Sequence, residues 1–155
     1  MDIANYSSDS RTVIKSAREV AASFRHPEIA IEHLLVACVR HEGSEVESIL
    51  NQLGKSPAFV ESVTEDFLKE QQSRASAREN LTISPPVQAV LNQALDEKGK
   101  LYDPLVEPEH IFIAIFDPRS ALSSILREKL DIIFRQDNIV RTRSMPDFHT
   151  LFEFL

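Results

Sequence analysis

The chain carries one pattern twice. Ile31-Glu32-His33-Leu34-Leu35-Val36-Ala37 returns as Pro108-Glu109-His110-Ile111-Phe112-Ile113-Ala114, 77 positions later. The shift holds without a gap across residues 7–37 and 84–114. Ser7, Val13, Ala17, Pro27, Glu32, His33 and Ala37 recur as Ser84, Val90, Ala94, Pro104, Glu109, His110 and Ala114. Average residue usage gives roughly two chance identities in such a window. The excess, with conservative pairs such as Ile14/Leu91, Phe24/Leu101 and Ile29/Val106, identifies an internal duplication. A duplicated unit constrains the fold to two similar halves. It favours a pseudo-symmetric binding module over an enzyme with one site.

The periodicity of each copy is helical. Val13, Ile14, Ala17, Val20, Ala21 and Phe24 form one stripe, predicting a helix from about Ser10 to Phe24. Its counterpart is expected to begin at Ser84, with Ser84 as cap and Pro85 at the first helical position. Pro27 and Pro104 then force a turn. A short, nearly all-apolar helix follows in each copy, starting near Ile31 and Pro108. Such helices belong at the centre of a core, packed on each other or on both flanking helices. Two further helices close each copy: about 45–53 and 57–71 in the first, 121–129 and 130–139 in the second. Ser48-Ile49-Leu50 matches Ser124-Ile125-Leu126 at a shift of 76. With three glycines and no recurring alternation, the expected fold is all-α: two pseudo-twofold repeats of four helices each. Repeat one covers about 7–68, a polar linker 69–80, repeat two about 81–140 and a Phe-rich tail 141–155, all within one domain.

Composition narrows the function. A net charge of −7 argues against a general nucleic-acid binder and favours cationic partners. No apolar run reaches the ~20 residues of a membrane span. The N-terminal residues lack the features of a secretory signal, and the lone Cys38 fits a reducing compartment, so a cytoplasmic protein is expected. Cys38 lies inside an apolar run and reads as a buried small hydrophobe. No phosphate-binding loop and no nucleophile elbow occurs, so the chain is not expected to be an enzyme. His33 and His41 stand eight apart, too far for a helical metal pair, and neither a metal nor a cofactor is expected.

With two Glu-His motifs in register with the caps, central alanines and proline turns, the chain resembles the N-terminal domain of Clp/Hsp100 AAA+ ATPases over about residues 6–140. The resemblance implies a mobile, non-catalytic domain that receives unfolded or tagged substrate proteins, or adaptor proteins, for an ATPase module. The alternative is a free-standing protein of the same fold that regulates a Clp protease or chaperone complex. Some branches of the family recognise phosphorylated arginine beside the Glu-His motif. The positions matching that site are Glu32 and Glu109 for the guanidinium and Ser7 and Ser84 for the phosphate. The chain departs from that branch: Ala30-Ile31 and Glu107-Pro108 replace its Gly-Thr, and Arg25 and Tyr102 replace its glycines. A hydrophobic peptide groove or an adaptor face is the preferred reading. Glu32 and Glu109 also have a simpler reading, as carboxylates favouring the positive end of a helix. His33 and His110 read as buried residues that hold the turn by a hydrogen bond. Phe148, Phe152 and Leu155 read as a short helical stripe that packs on the domain, leads into a further module, or docks a partner.

Overall fold

A computed structural model describes residues 3–71 and 81–133. They form seven α-helices and two two-residue strands: α1 (Ser8–Ser23), β1 (Glu28–Ile29), α2 (Ile31–Arg40), α3 (Glu45–Gln52), α4 (Pro57–Glu70), β2 (Thr82–Ile83), α5 (Pro85–Lys100), α6 (Pro108–Ile115) and α7 (Ser124–Leu130). A single 3₁₀ turn, Ile3–Asn5, precedes α1. Serines begin three of the four helices of the first repeat. The hydroxyls of Ser7, Ser44 and Ser56 accept from the amides of Ser10, Val46 and Phe59. Pro57 occupies the first turn of α4, where its missing amide costs nothing.

The two central helices behave as their composition demands. In α2 every residue from His33 to Val39 is buried, and in α6 every residue is. α2 packs between α1 and α4, α6 packs on α5, and α2 and α6 touch each other. The first helices make reciprocal contacts across the duplication, and the later helices cross it as well. α1 reaches α6 and α5 reaches α2; α3 lies on α6 while α7 lies on α4. One continuous core results, from Tyr6 and Val13 through Leu35 and Leu50 to Phe112 and Leu126.

The repeats also exchange backbone. β1 of the first pairs in parallel with β2, which opens the second, with Ile29 opposite Ile83. The Ser84 amide donates to the Ile29 carbonyl at 3.2 Å. The converse pairing sets Tyr6 beside Val106. There the Ser7 amide donates to the Val106 carbonyl at 3.0 Å, and the Val106 amide donates to the Asn5 carbonyl at 2.7 Å. The same 77-residue shift relates Ser7 to Ser84 and Ile29 to Val106. Thus the lead-in to the first helix of each repeat pairs with the lead-in to the second helix of the other. The Tyr6 hydroxyl adds a bond to the Leu91 carbonyl, and the Ser10 hydroxyl one to Val106.

Several expected boundaries differ. α1 starts at Ser8, because Ser7 rather than a later serine is the cap. The fourth helix, expected over about 57–71, spans Pro57–Glu70, so Lys69 and Glu70, where the expected linker of 69–80 overlapped it, are helical. Residues 121–123, expected in a helix, are not helical, and α7 starts at Ser124. α7 ends at Asp131, which takes a left-handed conformation (φ 50°), and residues 131–133 are not helical. The rest of the eighth helix expected at 130–139, residues 72–80 of the linker and the tail 141–155 lie outside the described residues.

The core and the surface pairs differ in weight. Phe112 is fully buried and meets Phe116 edge-on at 5.1 Å. Phe112→Ala is expected to cost about 3–5 kcal/mol. Arg40 bonds Glu61 at 2.7 Å and Glu65 at 2.6 Å, but its side chain is 44% exposed. Arg40→Ala is expected to cost about 1 kcal/mol or less. Urea denaturation of the two variants checks the contrast.

Candidate functional site

The Glu-His motif opens α2 and α6, and the histidine stands at the third helical position. His33 Nδ1 accepts from the Ala30 amide at 2.8 Å, and His110 Nδ1 accepts from the Glu107 amide at 2.7 Å. A glutamate or glutamine usually fills this reach-back role at helix starts. A bond accepted at Nδ1 leaves the neutral ring's proton on Nε2. The two Nε2 groups face different partners. His110 donates to Asp103 Oδ2 at 2.7 Å. His33 lies 2.7 Å from His26 Nδ1 and donates to it. The expectation that these histidines hold their turns fits this geometry. The His26–His33 contact, however, was not foreseen. Its signal was the polar pair seven residues apart, His26/His33 and Asp103/His110, present in both copies.

Arg25 and Tyr102, which precede these partners, both take a left-handed backbone, with φ 57° and 58°. Non-glycine residues pay roughly 1–2 kcal/mol for that conformation. The turn geometry is thus shared by the two repeats, although neither position holds glycine.

The two carboxylates of the motif have diverged. Glu32 is partly buried, and its Oε2 accepts from the Ser123 amide at 3.4 Å, at the start of α7 in the other repeat. Burial raises its carboxyl pKa above the ordinary value, against the Ser123 amide, which favours the ionised form. Glu32 therefore bridges the two repeats. Glu109 is 3% exposed and lines an open groove of about 340 Å³. The groove runs where the starts of α1, α3 and α6 converge, and Asp9, Glu45, Asp103, Glu107 and Glu109 all line it. No lysine or arginine does. Leu105 supplies an apolar wall. Tyr102, 95% exposed, immediately precedes Asp103 in the chain. The positions equivalent to Asp103 and Glu107 in the first repeat are His26 and Ala30, neither of which carries a carboxylate.

The two serines have also parted. The Ser7 hydroxyl is occupied as the cap of α1. Ser84 stands at the same place but makes no cap bond, contrary to expectation, and its buried hydroxyl has no partner. Pro85 and Pro86 remove the first two donors of this helix start, while the Val87 amide, the counterpart of the Ser10 amide that Ser7 caps, goes unbonded by Ser84. The same two prolines leave the start of α5 poor in donors for an anion. Cys38 is fully buried, and burial together with the charge of Glu109 pushes its thiol pKa up, as for an inert core cysteine. Among the described residues no cluster of three metal-ligating side chains occurs, and no helix is long and apolar enough to cross a membrane.

Comparison with known proteins places this geometry. Residues 5–129 match the family described as Clp repeat (R) N-terminal domain. The chaperone protein ClpB of Nitratidesulfovibrio vulgaris is 31% identical over 141 residues, covering 84% of this chain and 16% of that protein. The chain therefore spans only a small part of the length of such relatives. The N-domain of ClpV from Vibrio cholerae superposes with a TM-score of 0.75 at 22% identity, covering 92% of this chain and 85% of the other. A ClpV N-domain in complex with a VipB peptide does so with a TM-score of 0.71 at 20% identity, covering 92% and 86%. These two likenesses concern the fold.

The Glu32 contact has a pH signature. A carboxyl whose folded pKa is raised contributes most to stability below its unfolded value of 4.5 and loses that contribution as pH rises through the folded pKa. Glu32→Gln keeps an acceptor for Ser123 without the buried charge. It is expected to be at least as stable as the parent at pH 7, while Glu32→Ala loses about 1 kcal/mol. Denaturant titrations at pH 7 and pH 4 measure both.

Proposed function

The chain belongs to the Clp repeat N-terminal domain family, and from that premise we propose that it is the peptide-receiving N-terminal domain of a Clp/Hsp100 unfoldase. It takes up exposed segments of substrate or adaptor proteins, and the ATP-driven work belongs to another part of the machine. The ClpB relatives are chaperone proteins, and a domain of this fold from ClpV is known with a VipB peptide bound. Both support the reading.

The observation that carries it is the acidic groove beside Glu109. Five carboxylates around an apolar wall suit an extended peptide bearing lysine or arginine among apolar residues. Tyr102 strengthens the case. An exposed aromatic ring on a left-handed backbone costs stability and does nothing for the core. At the edge of an acidic groove, the same ring can stack on an apolar or cationic side chain of a visiting peptide. Of the two Glu-His sites, the one at Glu109 is therefore assigned to the ligand and the one at Glu32 to joining the repeats.

A synthetic peptide alternating arginine and leucine, read by fluorescence anisotropy, tests this. It is expected to bind with an affinity that falls as salt rises, and its glutamate-for-arginine counterpart is expected not to bind. The pair Glu45→Lys with Glu107→Lys should weaken binding about tenfold or more, about 1.4 kcal/mol. Equal binding of the two peptides, or an unchanged affinity in the double variant, refutes the groove as the site. Tyr102→Gly separates stability from binding. The glycine relieves the backbone and is expected to stabilise the fold by up to about 1 kcal/mol while weakening the peptide.

A further inference from the structure

His26 and His33 form a bonded pair in the interior of the first repeat. They are 7% and 1% exposed. The ring of His33 is fixed by two bonds, one from the Ala30 amide and one to His26 Nδ1. His26 stacks on Phe24 at 5.6 Å, and the carbonyls of Leu68 and Gln71 at the end of α4 lie against it. The hydrogen-bond chain thus runs from the start of α2 through both rings to the end of α4. Every ring nitrogen in the His33–His26 contact has a single workable proton state. A proton added to His26 Nδ1 would face the Nε2–H of His33. One added to His33 Nδ1 would face the Ala30 amide. The pair can be neutral and bonded, or charged and broken.

The second repeat lacks this constraint at the same place. His110 donates to Asp103, whose carboxylate accepts without needing a tautomer. The segment between the partners carries the inter-repeat strand in each case. Ile29 lies between His26 and His33 and accepts from the Ser84 amide; Val106 lies between Asp103 and His110 and accepts from Ser7. We propose that the His26–His33 pair is a proton-operated latch, which in acid releases the first repeat's lead-in strand from the second repeat while the reciprocal strand stays paired.

Groups around the latch fit this behaviour. Among the described residues, the groups that face the latch are the Phe24 ring just past α1, His33 of α2 and the carbonyls of Leu68 and Gln71 at the end of α4, none of them a charged side chain. Glu28, on the strand itself, is exposed. Burial, with the neighbouring His26 charge second, holds the His33 pKa down to about 4. Burial lowers His26 as well, while the Leu68 and Gln71 carbonyls favour its protonated form. The sign follows: the neutral pair contributes fully above the unfolded value of 6.5, and the contribution is lost as pH falls from there toward about 4.

Amide hydrogen exchange by NMR, converted to opening constants at pH 7, 6 and 5, tests the latch in the whole chain. Opening at the Ala30 and Ser84 amides is expected to rise up to about tenfold per pH unit below 6.5, while the Glu107 and Ser7 amides hold steady. Equal acid response at both places, or none at either, overturns the proposal. Two exchanges between the repeats sharpen it. His26→Asp should flatten the pH response of Ala30 and Ser84, and Asp103→His should transfer that response to Glu107 and Ser7. Should His26→Asp not fold, the Asp103→His variant decides alone, and an unchanged second repeat in it overturns the latch. Nitrogen-15 shifts of His33 give an independent check, since a ring carrying its proton on Nδ1 at pH 7 is incompatible with it.

Discussion

Each repeat depends on a histidine placed one turn inside a buried helix and turned back on the loop before it. The loop carries backbone polar groups into a dry interior, where an unpaired amide costs about 1–3 kcal/mol. By accepting at Nδ1 and donating at Nε2, the ring satisfies the loop at one end and anchors it at the other. The loop so held presents Ile29 or Val106 to the opposite repeat at a fixed register. Helix packing, strand exchange and the Glu32 bridge all assume that loop geometry. An aliphatic residue at either position would fill the space and leave the loop without its bonds.

Duplication supplied two equal sites, and chemistry has made them unequal. Beside Glu32 the space is closed by the start of α7. Beside Glu109 it remains open, ringed by carboxylates of which Asp9, Glu45, Glu107 and Glu109 sit at helix starts. Those charges suit the positive ends of α1, α3 and α6, so the acidic groove stabilises the fold even when empty. A binding surface built this way carries its charge at small structural cost. Tyr102 beside it is the exception: the fold accounts for its left-handed turn, which Arg25 shares, but not for an aromatic ring held in solvent.

The parts of the structure visible in the sequence are those with a period. The helical stripe of α1, the apolar runs of α2 and α6 and the copy shift were legible because buried faces repeat at fixed spacing. Glu32 and Glu109 were both visible as motif residues, but their separation into bridge and groove was not. It turns on Ser123, 91 residues from Glu32, and on what lines each space. The β1–β2 pair escaped because two-residue strands have no alternation to read. Ser84 holds the cap position that the sequence marks, with a cap-like backbone, yet its side chain makes no cap bond, a detail of hydroxyl placement that no residue pattern encodes. The His26–His33 contact was not legible because seven residues across a proline turn match neither a helical period nor a metal-ligand spacing.

The exchanged strands have a consequence for the order in which the molecule is built. During synthesis the first repeat emerges complete in its own helices, yet Ile29 must wait for residues 82–84 before its carbonyl is bonded. Tyr6 waits longer still, for Leu91 and then Val106. An edge left open while the chain grows is a place where another chain can pair. The duplicated half is therefore an incomplete folding unit, and the nascent first repeat is at its most vulnerable to mispairing until its twin has left the ribosome.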